Sequence, residues 1–387
     1  MTVDAAAGST AWRLRPDTIY LNHGSFGPPP EPVLADQRRW KTALDEQPMD
    51  FFTRQYEPAW RAARARLARW LDVPASQLIF VDNATHGMNI VAASFPLEPG
   101  DEVVLNNHEY GAVLRIWQRA CAEAGAAPPR IAQLPARCTA ADEVVDAIFA
   151  EVTPRTRLIV ASHVTSPTAI ILPIELLCRR AAVAGIACCV DGPHAPAQVD
   201  FSLSRLSCDF YVASCHKWLS APFGSGFLAV APRWQAVMRT PQLSWGRLLP
   251  DVPQSWDDEF IWSGTRDPSA WLAVPAAIDF LADYGFDRFR QTTHALAQYG
   301  RNRLVELTGR EPLVPDDPQW YGSMAHVPLP PGNARALQRA LWEQYGIEVP
   351  IVDWNQERFI RVSCHLYNDA SQIDRLVAAL HTLLARE

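Results

Sequence analysis

IACCVDGPHAPAQVD (186–200) and CDFYVASCHKWLSAPFGSG (208–226) are the two segments from which the rest of the chain can be read. Each opens with a short apolar run of the kind that forms a buried strand, then delivers polar residues at its C-terminal end. The first ends in Asp191 and His194; the second ends in Ser214, His216 and Lys217, followed by a turn containing Gly224 and Gly226. A lysine just past a buried strand is unusual, because burying its ammonium form is costly. With a carboxylate held near it by the neighbouring strand, it has what Schiff-base chemistry on a pyridinium ring requires. Such a lysine must be available as the neutral amine, which asks for a pKa depressed by about 3 pH units, or about 4 kcal/mol. The competing reading is a solvated lysine at a strand end.

The 387 residues, 48% of them hydrophobic, are ample for a full core and for two lobes. The net charge of −7 is spread over interspersed acids and bases, so nothing points to nucleic acid or a membrane surface as partner. No apolar run approaches the roughly 18 residues of a spanning helix. The opening MTVDAAAGSTAWRLRPD has neither the basic nor the apolar region of a secretory signal, and reads as a frayed lead-in. The eight cysteines lack C-x-x-C spacing, which argues against a metal site. Cys188 and Cys189 adjoin in a strand pattern and should face opposite ways. Reduced, buried cysteines fit a cytoplasmic protein.

Outward from the opening segments, short apolar runs alternate with helical ones. The runs are LIFVD (78–82), EVVLNN (102–107), RLIVASH (157–163), IACCVD (186–191), DFYVAS (209–214) and GFLAVA (226–231). This alternation predicts an α/β domain with a mainly parallel sheet buried on both faces. Ligands in such sheets sit outside the carboxyl ends of the strands. Polar residues cluster there: Asn83 to Gly87, Asn107 to Tyr110, and His163 to Thr168. Before this region, YLNHGSFGPPP (20–30) is turn-rich, either a rigid loop or a pocket wall, and residues 31 to 71 carry helical periodicity. We expect an N-terminal segment at 20–70 packing with a small α+β domain at 286–387, and a large domain at 71–285. The last helix is expected to start at a capping box, Ser371 and Asp374, with Ile373, Val377, Leu380 and Leu384 inward.

VDGPHAPAQVD followed by SCHKWLSAPFGSGFL resembles the fold-type I pyridoxal-phosphate enzymes of the class V aminotransferase family. YLNHGSFG, NHEYGAVLRIW, HVTSPT and FIRVSCHLYN look most like its isopenicillin N epimerase-like branch. The resemblance runs from about Tyr20 to the last helix. It implies a large domain with a seven-stranded-type sheet between helices, a smaller C-terminal domain, and pyridoxal 5'-phosphate held covalently by Lys217. Asp191 would pair with the protonated ring nitrogen and keep the ring an electron sink. His194 stands where the family hydrogen-bonds the phenolic oxygen. Ala84 and Thr85 match the phosphate-cradling turn at a helix start, and Ser214 and His216 resemble further phosphate or ring anchors. Gly264 and Thr265 resemble a loop that reaches the neighbouring subunit's phosphate, which implies a homodimer with shared active sites. Tyr110 or His108 would cover the ring face, the resemblance favouring Tyr110. Arg361 matches the arginine that grips the substrate's α-carboxylate, and Asn22 and His23 would line the substrate side. Ser166 and Ala169 depart from the pattern, which often carries Asn and Gly there.

The implied function is chemistry at the Cα of an amino acid bound to the cofactor as an imine, epimerase- or racemase-like, with no metal. Alternatives are transamination and β-elimination from a sulfur-containing amino acid. Desulfuration is disfavoured, because GIEVPIVDWNQERFIR before Arg361 has no cysteine. A non-catalytic binding module would be expected to have lost Lys217 or Asp191, and a nucleotide-binding domain would need a glycine motif that is absent.

Overall fold

The computed structural model describes residues 11–247 and 252–387; the first ten residues of the lead-in lie outside it. Strand β1 (Ile19–Tyr20) comes first. The large sheet then takes β2 (Leu78–Val81), β3 (Glu102–Asn106), β4 (Arg130–Ala132), β5 (Thr156–Ser162), β6 (Ala187–Asp191), β7 (Phe210–Ser214) and β8 (Gly226–Val230). Their spatial order is β2-β8-β7-β6-β5-β3-β4, and β8 alone runs against the rest. The fold is the expected one: α/β, fold-type I, a mainly parallel seven-stranded sheet between helices.

Alternate residues of these strands feed two separate apolar cores. Ile79, Val103, Val160, Cys189 and Val212 belong to one. Phe80, Val104, Ile159, Cys188 and Tyr211 belong to the other. A strand buried on both faces has to be apolar at every position, which is why these runs read as continuous rather than alternating. The eight cysteines are free thiols, and Cys188 and Cys189 do face opposite cores. Strand β4 is the one the hydrophobic pattern misses. It is three residues long at the sheet edge, with Arg130 and Ile131 partly exposed and Ala132 buried, too short for a periodic signal.

The remaining strands are β9 (Met324–Leu329), β10 (Ile347–Glu348), β11 (Ile351–Trp354) and β12 (Glu357–Ser363). β11, β12 and β9 form an antiparallel sheet, while β1 pairs in parallel with β10. The N-terminal chain continues along this region: Ser363 donates to the Leu21 carbonyl, and Asn22 bridges to Ser363. The helical stretch after Pro30 is not continuous. Helix α1 (Glu31–Glu46) and helix α2 (Tyr56–Trp70) are separated by a turn of π-helix at Phe51–Gln55. Phe51, Tyr56, Trp60 and Leu67 are the deeply buried part of this segment.

Ala169 has φ of +56°, a left-handed conformation that costs a residue with a Cβ about 1–2 kcal/mol. That is the position where the sequence departs from an expected glycine. The last helix, Ala370–Leu384, also corrects an expectation. Its N-cap is Asp369, whose carboxylate accepts from the Gln372 N–H, whereas Ser371 donates its hydroxyl back to Asp369. Replacing Asp369 by Ala should therefore cost about 1 kcal/mol in chemical denaturation, and replacing Ser371 by Ala much less. A larger loss from the Ser371 substitution would return the cap to the box first expected.

Candidate active site

A cavity of about 670 Å³ opens where the carboxyl ends of β2, β5, β6 and β7 meet the N-terminal turn and β12. Lys217, Asp191, His194, His216, Ser214 and Arg361 all line it, as do Ala84, Thr85 and Tyr110. Parallel strands that end together bring residues far apart in sequence to one rim.

Lys217 is the centre of this arrangement. Its amine is pulled down to about 7, chiefly by burial and further by the Arg361 charge, with Asp191 acting the other way. Asp191 is pushed up to about 7 by burial, with Lys217 opposing. His194 is held well below the usual imidazole range, first by burial and then by the charges of Lys217 and Arg361. The Trp218 indole donates to His194 Nδ1 at 3.4 Å, and an indole N–H can only donate. The neutral ring therefore carries its proton on Nε2, which lies 3.0 Å from the Lys217 amine. His194 thus donates to a neutral amine, a contact an ammonium could not accept.

The lysine's backbone is clamped from behind. His23 Nε2 lies 3.0 Å from the Lys217 carbonyl, and His23 Nδ1 lies 2.8 Å from the Tyr367 hydroxyl. The carbonyl only accepts, so Nε2 donates and Tyr367 donates to Nδ1. With both ring nitrogens engaged and the ring fully buried, His23 does not reach the cavity as a substrate ligand. Asn22 is likewise turned away, donating to Glu348 at 3.2 Å. Gly27 packs so closely that an added Cβ would run into His23 and the carbonyls of His216 and Lys217.

The helix Ala84–Ser94 starts at the cavity. Asn83 caps it by accepting from the His86 N–H, and Ser214 Oγ accepts from the Ala84 N–H at 3.0 Å. Among the described residues the Thr85 N–H makes no hydrogen bond, and it lies in the first helical turn, where free N–H groups and the helix dipole favour an anion. Nearby His216 is drawn down to about 4 by burial and by Lys217, and its buried Nδ1 has no partner. Arg361 is held by the Ser25 hydroxyl at 2.9 Å and by the Ser166 carbonyl, while its buried Nε is also unpartnered. An amine and a carboxyl of matched basicity, a helix start with a free N–H and orphaned donors form a donor set that fits a pyridine ring bearing an aldehyde and a phosphate.

Besides Asn22 and His23, three expected residues, His108, Gly264 and Thr265, lie outside the cavity. His108 is buried beside it, its Nδ1 2.8 Å from the Thr168 hydroxyl and its ring against Trp354 at 4.2 Å. Tyr110, by contrast, is half exposed on the cavity wall. Gly264 and Thr265 do not line it within this chain, and Thr265 is exposed. Their neighbours Ser263 and Arg266 line an adjoining groove that shares Asp82, Asn83 and Thr85 with the cavity. Sequence reasoning missed Ser25, Phe26, Ser162 and Phe223, which also line it. Ser25 and Phe26 lay inside a stretch already singled out; Ser162 carried no signal, being one more residue at a strand end. Among the described residues no group of acids, histidines and cysteines could hold a metal ion, and no helix is long and apolar enough to cross a membrane.

The family model for class V aminotransferases matches residues 38–376. The chain belongs to the class V aminotransferases. It is a pyridoxal-phosphate-dependent enzyme of that family. It is 39% identical to the isopenicillin N epimerase of Amycolatopsis lactamdurans, over 97% of this chain and 99% of that one. It is 37% identical to the isopenicillin N epimerase of Streptomyces clavuligerus, over 96% of each. Among solved structures, a cystine C–S lyase superposes with a TM-score of 0.83 at 23% identity, covering 95% of this chain and 98% of that one. The cysteine desulfurase CsdA of Escherichia coli gives 0.80 at 22% identity, with 98% of each covered. At such identities these last two speak to the fold alone.

In this class V enzyme the neutral fraction of Lys217 should govern capture of pyridoxal phosphate by cofactor-free protein. The capture rate, followed by visible absorbance, should rise as pH increases through about 7, rather than through the value near 10.4 of a solvated lysine. Lys217→Ala should abolish the band, and Gly27→Ala should lower capture at least about tenfold by displacing the lysine's backbone. A rate still climbing at pH values well above 7 would contradict the neutral amine.

Proposed function

We propose that this chain inverts the configuration at the Cα of an amino-acid substrate, as an epimerase of the isopenicillin N epimerase type. The observation that supports this most is similarity over nearly the full length to two proteins named for that reaction. Pyridoxal phosphate, when bound by Lys217, Asp191, His194, Ser214, His216 and the Ala84–Thr85 turn, supplies an electron sink that acidifies the substrate's Cα–H.

The chain's own residues do the rest. Arg361, buried and held by Ser25 and Ser166, offers its guanidinium fork to the α-carboxylate and so fixes which face of Cα points at Lys217. The Lys217 amine, lowered to about 7 by burial and so substantially neutral from that pH upward, takes the proton from one face. Inversion needs a donor on the other face. Tyr110 is our candidate: it lines the cavity, half exposed, and its hydroxyl makes no hydrogen bond among the described residues. His108 is less suited, since its Nδ1 is engaged by Thr168.

Desulfuration has little support, for Cys364 is fully buried with its thiol pushed far up by burial, and Cys215 is the same. We further propose a homodimer in which the Gly264–Thr265 loop serves the neighbouring subunit's phosphate site, a cytoplasmic location, and a division of the chain into 71–285 and 286–387; of the 20–70 segment expected to join the latter, only the start pairs with it, while α1 and α2 pack on residues 269–284.

Incubation with candidate amino acids in deuterated water separates the reactions. Inverted product carrying deuterium at Cα is expected, and Tyr110→Phe should lose inversion by about 100-fold or more while retaining exchange on one face. Keto acid or sulfide formed without inverted product would replace the epimerase reading with transamination or C–S cleavage.

A further inference from the structure

His163 stands between Ser162 and Val164, both of which line the cofactor cavity, yet it lines a different one. This second cavity, of about 360 Å³, lies where the end of β5 meets the start of the helix Ile174–Val183 and the segment that follows β6. None of the roles assigned so far uses it. His163 is only 4% exposed and is fixed from several sides. Its N–H donates to the Asp191 carbonyl at 2.8 Å, its own carbonyl accepts from the Leu172 N–H at 2.9 Å, and its ring packs edge-on against Phe201. The Tyr211 hydroxyl lies 2.8 Å from Nδ1 and has no other partner among the described residues. A buried hydroxyl proton goes to the one acceptor within reach, so Tyr211 donates and the neutral imidazole carries its proton on Nε2. Nε2 has no partner among the described residues, yet it is not a sealed-off orphan like His216 Nδ1; it opens on the second cavity as a donor.

Further donors line the same space. The helix Ile174–Val183 follows Pro173, whose side chain offers no cap, and the Glu175 and Leu176 N–H groups make no hydrogen bond among the described residues. Free N–H groups in a first helical turn favour an anion. Arg179 and Arg205 stand at the rim and are loosely paired, with Glu175 and Asp200 respectively, each at 3.9 Å; Asp200 is also 3.6 Å from Arg290. The two rim carboxylates repel a dianion more strongly than a monoanion. Ile171, Leu206 and Phe201 add apolar wall that a bare inorganic ion would leave uncovered.

We propose that this cavity is a second binding site, for a small organic monocarboxylate. Its carboxylate is received by the His163 Nε2–H and the Glu175 and Leu176 N–H groups, with Arg179 and Arg205 above, and its short apolar body lies against Ile171, Leu206 and Phe201. One strand end separates it from the cofactor cavity. The inference goes beyond the epimerase assignment and depends neither on that nor on the cofactor reading. A carboxylate of this size is carried by an amino acid and by its deaminated counterpart alike, and the rim carboxylates of Glu175 and Asp200 are what an α-ammonium would meet.

The test uses the pyridoxal-phosphate-loaded enzyme labelled at its isoleucine δ1 methyl groups and followed by NMR. Ile171 and Ile174, which line the cavity, are assigned by Ile171→Val and Ile174→Val. Isobutyrate should shift both resonances saturably. Isobutyramide, which has the same shape without the charge, and inorganic phosphate should each bind about tenfold more weakly or worse. Arg179→Ala combined with Arg205→Ala changes two exposed side chains far from Lys217 in sequence, and should weaken isobutyrate by about fivefold. Tighter binding of 2-aminoisobutyrate than of isobutyrate assigns the site to amino acids; weaker binding assigns it to deaminated acids. The inference is overturned by the absence of a saturable shift with isobutyrate, or by isobutyramide or phosphate binding as well as isobutyrate. An isobutyrate response unchanged in the double arginine variant overturns it too, since the probe would then be seated elsewhere.

Discussion

Keeping the Lys217 side chain out of water is the constraint on which the rest of this site depends. Burial lowers the amine to about 7, so a large neutral fraction is present at that pH, and several neighbours accommodate it. His194 donates to it rather than accepting from it, because Trp218 has fixed the imidazole tautomer. The backbone beneath is held by His23, itself oriented by Tyr367 from the C-terminal region. Gly27 is the residue that lets the N-terminal turn approach so near. A free lysine at a strand end would need none of these.

Neutralising one group does not remove the electrostatic problem. Arg361 is also fully buried, and burial lowers it to about 10, still cationic at neutral pH. Asp191 stands against it in the same cavity. Buried charges of one sign are tolerated when the other sign lies close and the remaining lone pairs and protons are hydrogen-bonded. The unpartnered nitrogens of His216 and Arg361 mark where this compensation is incomplete within the chain alone. Those are the places at which an anionic group and a carboxylate would be received.

Much of this was legible in the chain itself. Six of the seven strands of the large sheet announce themselves as continuous apolar runs, because a strand covered on both faces has no polar side to show. The edge strand Arg130–Ala132 does not, being three residues long with two of them partly exposed. Lys217, Asp191 and His194 were readable as site residues because each is a polar group following an apolar strand, whereas Arg361, inside β12, was read from the family resemblance alone. His23 and His108 had the right chemistry, but whether a histidine faces a cavity or a backbone carbonyl depends on what packs against it. No local pattern encodes that.

The sequence by itself determined the alternation of strands and helices, the lysine and carboxylate at neighbouring strand ends, and membership of a pyridoxal-phosphate family. These depend on local hydrophobicity and on ordered motifs, which the chain carries without folding. Only the tertiary structure decided that His23 clamps Lys217 rather than lining the pocket, and that Ser25 and Ser166 hold Arg361. It also decided that Glu109 is buried against Asn106 and Ser162. Such contacts join segments separated by tens to hundreds of residues, and burial, which sets both the hydrogen-bond partners and the protonation of each group, exists only once those segments have packed.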